Sequence, residues 1–162
     1  MATSTDITWD ELNIGEKIGQ GGFGVVYKGE WKGKAVAVKK VHSDEMDERE
    51  MASFRTEVEL MRELSHGNVM SCLAASLDTD VFIVTEFMGK GNMSDCLKAE
   101  PNLPWKLKIG MAIGMLLSDE MILVSMTAKH DGADAAKGMH HLHSRKTPIV
   151  HRDLKSLNLL VR

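Results

Sequence analysis

From Leu12 to His42 apolar and polar positions alternate, or run β-branched, between glycines: LeuAsnIleGlyGluLysIleGly, then ValValTyrLysGlyGluTrp, then AlaValAlaValLysLysVal. Alternation of period two, bounded by turn residues, predicts three antiparallel strands. The period then changes. Phe54, Val58, Met61 and Leu64 recur at three and four residues, which predicts a helix over Glu45 to Leu64, with Gly67 as its stop. Cys72 to Leu77 and Val81 to Phe87 are two further apolar runs joined by LeuAspThrAsp, a hairpin pattern that brings the sheet to five strands. The pattern turns helical beyond Gly89 to Asn92, first over Met93 to Lys98 and then, after Pro101 and Pro104, from Trp105 towards His143. Strands followed by helices give an α+β chain: an extension over residues 1–11, a sheet-rich part over 12–88, a hinge at its end, and a helical part over 89–162.

Ala112 to Ala133 prolongs what would be a single helix. Without it, TrpLysLeuLysIleGlyMet joins AspAlaAlaLysGlyMetHisHisLeuHis as one helical pattern, so 112–133 reads as an insertion. A retained intron translated in frame, or a misdrawn gene boundary, is the expected origin, rather than an evolved loop. Asp119 and Glu120 interrupt its apolar run, and no membrane span is expected.

Composition narrows the classes. The chain has 162 residues, 43% hydrophobic and 27% charged, which is enough apolar material for a core. A net charge of -3 supplies no basic excess to meet phosphates along a surface, so nucleic acid and anionic membrane are not expected partners. Cys72 and Cys96 lack the paired spacing of a zinc site or a disulfide framework. Together with a start that has no basic and apolar leader, this leads to the expectation of a reducing, cytoplasmic location.

Three patterns carry chemistry. Gly19, Gly21 and Gly24 form GxGxxG between two predicted strands, where glycines let backbone amides approach phosphates without side-chain obstruction. A dinucleotide fingerprint would open a helix at this point, but the chain continues as ValValTyrLysGly. In ValAlaValLys, Val36 to Lys39, a strand places Ala37 and Lys39 on one face and Val38 and Lys40 on the other. A small residue and a cation sharing a face suit an adenine ring at Ala37 and phosphate oxygens at Lys39. In the predicted helix Glu57 projects into the stripe of Phe54, Leu60, Met61 and Leu64, whereas Glu59 and Glu63 point away. An inward acid needs a cation, and Lys39 is the expected one. Glu50, two turns earlier on the same stripe, is the alternative.

The last pattern is the most specific. His151, Arg152, Asp153, Lys155 and Asn158 reproduce HRDLKxxN, and with the two preceding motifs in this order the chain resembles the eukaryotic protein kinase superfamily. IleThrTrpAspGluLeu at Ile7 to Leu12, GluTrpLysGly at Glu30 to Gly33 and HisArgAspLeuLysSer are similar to the tyrosine-kinase-like group of serine/threonine kinases. The resemblance implies a two-lobed α+β fold, with a complete small lobe and the first part of the helical large lobe. It implies ATP and Mg2+ as cofactors and transfer of a phosphoryl group to Ser or Thr hydroxyls of a protein substrate.

By that resemblance Asp153 is the catalytic base, Lys155 supports the transferring phosphate, Asn158 holds a metal ion, and Lys39 with Glu57 positions phosphates. The nucleotide site carries over onto Ile18, Gly19, Gln20, Gly21, Gly22, Phe23 and Gly24 in the glycine turn. Val26, Ala37 and Leu160 would sandwich the adenine, and Thr85, Glu86 and Met88 line the back of the pocket and the hinge. His140, His141 and His143 fall at the end of a family helix, where a structural role is expected rather than a metal site. The chain ends four residues after Asn158, before any AspPheGly motif. The expectations that follow are a chain inactive by itself and, as the competing reading, a non-catalytic module that binds nucleotide or associates with another kinase.

Overall fold

The computed structural model describes residues 5–21, 24–78, 80–99, 126–128, 133–149 and 159–161. It divides into two compact units, Met1–Ser65 with Ser71–Phe87 and His66–Met70 with Met88–Arg162.

The first unit is built on β1 (Thr5–Asp6), β2 (Asn13–Gly21), β3 (Gly24–Trp31), β4 (Lys34–Val41), α1 (Glu48–Glu63), β5 (Cys72–Ser76) and β6 (Phe82–Glu86). The strands form one sheet in the order β1-β5-β6-β4-β3-β2. Five of them, β2 to β6, pair antiparallel as the alternation predicts. The sixth was not foreseen. Thr5–Asp6 of the N-terminal extension pairs parallel with Ala74 and Ala75 at the edge of β5.

Local chemistry accounts for the connections. Between β3 and β4 the backbone is left-handed at both Lys32 (φ 51°) and Gly33 (φ 73°), a two-residue turn whose twist matches that of the strands it joins. α1 begins three residues later than expected, because Asp47 caps it. The Glu50 amide donates to Asp47 Oδ1 at 2.8 Å, and the Asp47 amide donates to Glu50 Oε2 at 2.9 Å. Glu45, the expected first residue of the helix, instead ends a separate 3-10 turn, Ser43–Glu45. At the other end Leu64 takes an extended conformation (φ -81°, ψ 122°) and is buried, so the helix stops at Glu63 before Gly67 can act.

The sheet has two different faces. Val36, Val38, Phe82, Val84 and Ala74 are buried in one cluster with Ile7 and Leu12, against which Trp9, Ile14, Trp31 and Leu73 pack. The N-terminal segment therefore closes the back of the sheet. On the front, α1 runs along β5 and buries Phe54, Val58 and Met61.

The second unit contains α2 (Met93–Ala99), β7 (Met126–Ala128), α3 (Ala133–His143) and β8 (Leu159–Val161). Asn92 caps α2, its Oδ1 accepting from the Asp95 amide at 3.0 Å. Met139, Leu142 and Ile149 are buried, and the Ile149 amide donates to the Leu142 carbonyl at 3.0 Å. Most of the expected insertion lies outside the described residues. Its Met126–Ala128 corrects the reading of a continuous helix, because these residues form a strand paired parallel with β8. The ladder satisfies backbone amides and carbonyls of both strands. Among the described residues no helix is long and apolar enough to cross a membrane.

Candidate functional site

The glycine turn closes at the Gly21 and Gly24 pair of the β2–β3 hairpin, with Gly22 and Phe23 outside the described residues. The three motif glycines are not equivalent. Gly24 has φ +149°, and a Cβ there would sit 2.1 Å from the Lys40 carbonyl oxygen, which no side chain can occupy. Around Gly21 a Cβ would meet nothing within 4 Å among the described residues. Gly19 tolerates a Cβ at ordinary contact distance from Val26.

Register sets the rest of the site in the first unit. Val26 is opposite both Gly19 and Lys39, Lys39 is opposite Ile83, and Ala37 is opposite Thr85. Directly paired residues share a face, as do residues two apart on one strand. Gly19, Val26, Ala37, Lys39 and Thr85 thus lie on the front of the sheet, while Val38 and Lys40 lie on the back. Val26, Ala37, Lys39 and Thr85 are all half-buried, enough to exclude much water without sealing the face. Ile18, just before the turn, is 44% exposed, and Gln20 is exposed as well.

Burial pushes the Lys39 ammonium below the ordinary lysine value of 10.5, and the Glu57 carboxylate pulls it back up. Glu57 is half-buried on α1, whereas Glu59 and Glu63 are exposed. Glu50, the alternative, is exposed and committed to the helix cap. Lys40 does different work. Its Nζ lies 3.0 Å from Asp80 Oδ1 and 4.5 Å from the Trp9 ring centroid. Both members of that ion pair are nearly half exposed, so it contributes only about 0–1 kcal/mol. A cavity of about 300 Å³, lined by Val25, Tyr27, Lys40, His42, Asp44 and Asp80 among others, opens on this back face rather than beside Lys39.

Glu86 ends β6 opposite Val36. In the second unit Met88 is buried and Leu160, in β8, is half-buried and bridges Asn92. The Val161 amide donates to the Gly91 carbonyl at 2.9 Å, so β8 is tied to the glycine-rich segment that follows Met88. Asp153, Lys155 and Asn158 lie outside the described residues. Of the three histidines near the end of α3, His141 stacks on His66 with ring centroids 4.6 Å apart and planes inclined by 15°. Burial, then His66, Arg145 and His140, holds His141 below the usual histidine range.

Residues 12–162 match the family model described as protein tyrosine and serine/threonine kinase. The chain belongs to this protein kinase family. Among its relatives are the serine/threonine-protein kinase CTR1 of Arabidopsis thaliana, 38% identical over 160 residues, and the probable serine/threonine-protein kinase SIS8 of the same plant, 37% identical over 158. The probable serine/threonine-protein kinase drkB of Dictyostelium discoideum is 38% identical over 157 residues. Each comparison covers 96% of this chain, which spans 17%, 13% and 20% of the respective relatives. The first unit is accordingly a kinase small lobe with one added strand.

Trp9 lies against Lys40, Phe82 and Tyr27 on the back face, a placement the sequence pattern did not predict although a signal for the turn that carries it is present. Thr8 and Glu11 stand three apart in the capping-box pattern, and the Thr8 amide donates to Glu11 Oε1 at 2.9 Å. This box opens the 3-10 turn Trp9–Glu11 that carries the indole.

Proposed function

We propose that this kinase domain serves a serine/threonine kinase of the tyrosine-kinase-like group, one that transfers the γ-phosphoryl of ATP, with Mg2+, to hydroxyls of a protein substrate. The observation that carries the reading is the electrostatic coupling of half-buried Lys39 to Glu57, on the sheet face that also holds Val26, Ala37 and Thr85. The donor set fits the triphosphate of a nucleotide. A cation is coupled to a carboxylate, and Gly19 of the glycine hairpin stands on the same face.

Phosphoryl transfer depends on positioning and charge neutralisation more than on covalent help from the protein. ATP supplies the transferable phosphoryl group when bound. Lys39 holds phosphate oxygens, Glu57 keeps the ammonium charged and in place, and Ala37 leaves room for a flat ring. Thr85, by the family pattern, guards the back of the nucleotide site, Glu86 and Met88 belong to the hinge segment and Leu160 is an adenine-contacting residue. By the family pattern Asp153 accepts the proton of the substrate hydroxyl, Lys155 neutralises phosphate charge and Asn158 holds the metal. Lys155 and the serine/threonine names of the relatives support the substrate class. IleThrTrpAspGluLeu and GluTrpLysGly support the group. The free thiols of Cys72 and Cys96 support a cytoplasmic location.

Isothermal titration of the chain with magnesium-ATP tests the proposal. Saturable binding is expected, weakened at least about tenfold in Lys39→Met. Equal affinity of the two proteins would remove Lys39 from the site and with it this reading.

A further inference from the structure

Lys39 and Lys40 are neighbours on one strand with opposite fates. Lys39 faces the front, is coupled to Glu57, and takes its place from the β4 backbone beneath it. Near Lys39 that backbone is fastened from behind. Lys40 pairs in register with Phe82, and the Val41 amide donates to the Val81 carbonyl at 2.9 Å. The Trp9 ring meets Phe82 edge-on at 5.2 Å and 77°, and Tyr27 at 6.4 Å and 82°, while Lys40 Nζ lies 4.5 Å from its centroid. One indole therefore touches three consecutive elements of the sheet, β3, β4 and β6. The Lys40 ammonium also donates to Asp80 Oδ1 at 3.0 Å.

The indole is itself held. Ile7 and Leu12 are buried on either side of it, the Leu12 amide donates to the Trp9 carbonyl at 3.1 Å, and Thr5–Asp6 is paired to β5. Nothing about a phosphate-binding lysine requires this arrangement, and a back face covered by any apolar side chain would satisfy the core. What an indole adds is a flat surface for the Lys40 ammonium, so that the residue next to Lys39 is fixed by its head group as well as by its backbone.

We propose that residues 5–12 act as a clamp in which Trp9, through Lys40, fixes β4 and so positions Lys39 for nucleotide phosphates; Trp9 is a positioning residue. The proposal rests on the reading of Lys39 as the phosphate lysine. If the clamp loosens, β4 moves away from α1, the Lys39 amine gains water and loses part of its contact with Glu57. Both changes weaken the hold on phosphate.

The test uses the whole chain and two readouts on Trp9→Ala, Trp9→Phe and Asp80→Asn. The first is the pH profile of Lys39 acetylation by a small amine-reactive ester, followed by peptide mass spectrometry, with exposed Lys34 as internal reference. The second is magnesium-ATP affinity. Trp9→Ala is expected to move the Lys39 profile to higher pH, because relief of burial, the larger influence, outweighs the opposite effect of losing part of Glu57, and to weaken ATP about threefold to tenfold. Trp9→Phe, which keeps an aromatic face, should restore most of both, and Asp80→Asn should move both in the same direction by less. A lowered melting temperature with an unchanged Lys39 profile in Trp9→Ala would make Trp9 merely a core residue and overturn the clamp. If Trp9→Ala fails to fold, the profiles of Trp9→Phe and Asp80→Asn decide alone, and no shift in Asp80→Asn overturns it. The acetylation profile needs no nucleotide, so absence of ATP binding in the unsubstituted chain would sink the functional reading while leaving the clamp tested.

Discussion

The two faces of β4 lie one peptide apart and obey different rules. Val36 and Val38 point into the back cluster with Phe82 and Val84 and are essentially inaccessible to water. Ala37 and Lys39 point the other way and stay half-buried. The back face is held by apolar burial, which is non-directional and contributes about 1.5–3 kcal/mol per fully buried side chain, with the Lys40 ammonium kept nearly half exposed beside Asp80. The front face keeps a desolvated ammonium next to a carboxylate, an arrangement that adds little stability and makes sense for chemistry. Alternation of period two lets one strand serve both purposes without compromise.

The sharpest way to break this contrast is to cut each face once. Phe82→Ala should lower unfolding stability by about 3–5 kcal/mol, because it removes a fully buried ring and leaves a cavity under Trp9. The double variant Lys39→Met/Glu57→Gln should change stability by no more than about 1 kcal/mol in urea unfolding, since the half-buried pair is removed whole and no charge is left without its partner. Comparable losses in the two variants would erase the distinction.

A smaller effect separates the glycines. Gly24→Ala should cost about 1–3 kcal/mol, from left-handed strain and a Cβ driven into the Lys40 carbonyl. Gly21→Ala, with open space around its Cβ, should stay within about 0.5 kcal/mol of the parent. Thermal melts of the pair measure the difference, and a Gly21→Ala loss equal to that of Gly24→Ala would contradict the geometry.

The finest change concerns charge on the front face. Glu57 raises the Lys39 value that burial lowers, so Glu57→Gln should push Lys39 further below 10.5. The sign for folding follows. A lysine depressed in the folded state destabilises it wherever the unfolded lysine is charged, and this penalty disappears as pH rises through the interval between the folded value and 10.5. Glu57→Gln widens that interval downward, so its stability deficit against the parent should shrink as pH is raised towards 10.5. A deficit that stays constant with pH would remove the coupling.

Much of this was readable in advance, and the reasons are local. The strands β2 to β6 and the helix α1 follow from short-range periodicity. The choice of Lys39 over Lys40 and of Glu57 over Glu59 follows from which face of a strand or helix a position must occupy. Helix ends were less legible, because an Asp47 cap competes with the apolar stripe for the start and Leu64 burial overrides Gly67 at the stop.

The amino-acid order by itself determined the kinase family, the sheet-and-helix architecture and the residues that must share a face, since these depend on spacing along a few turns or strands. Only the tertiary structure decided that Thr5–Asp6 joins β5, that Trp9 rests on Lys40, Phe82 and Tyr27, and that Met126–Ala128 pairs with β8. Those contacts join segments far apart in the chain. Each is selected by an edge or an apolar face elsewhere that needs covering, which no local pattern can announce.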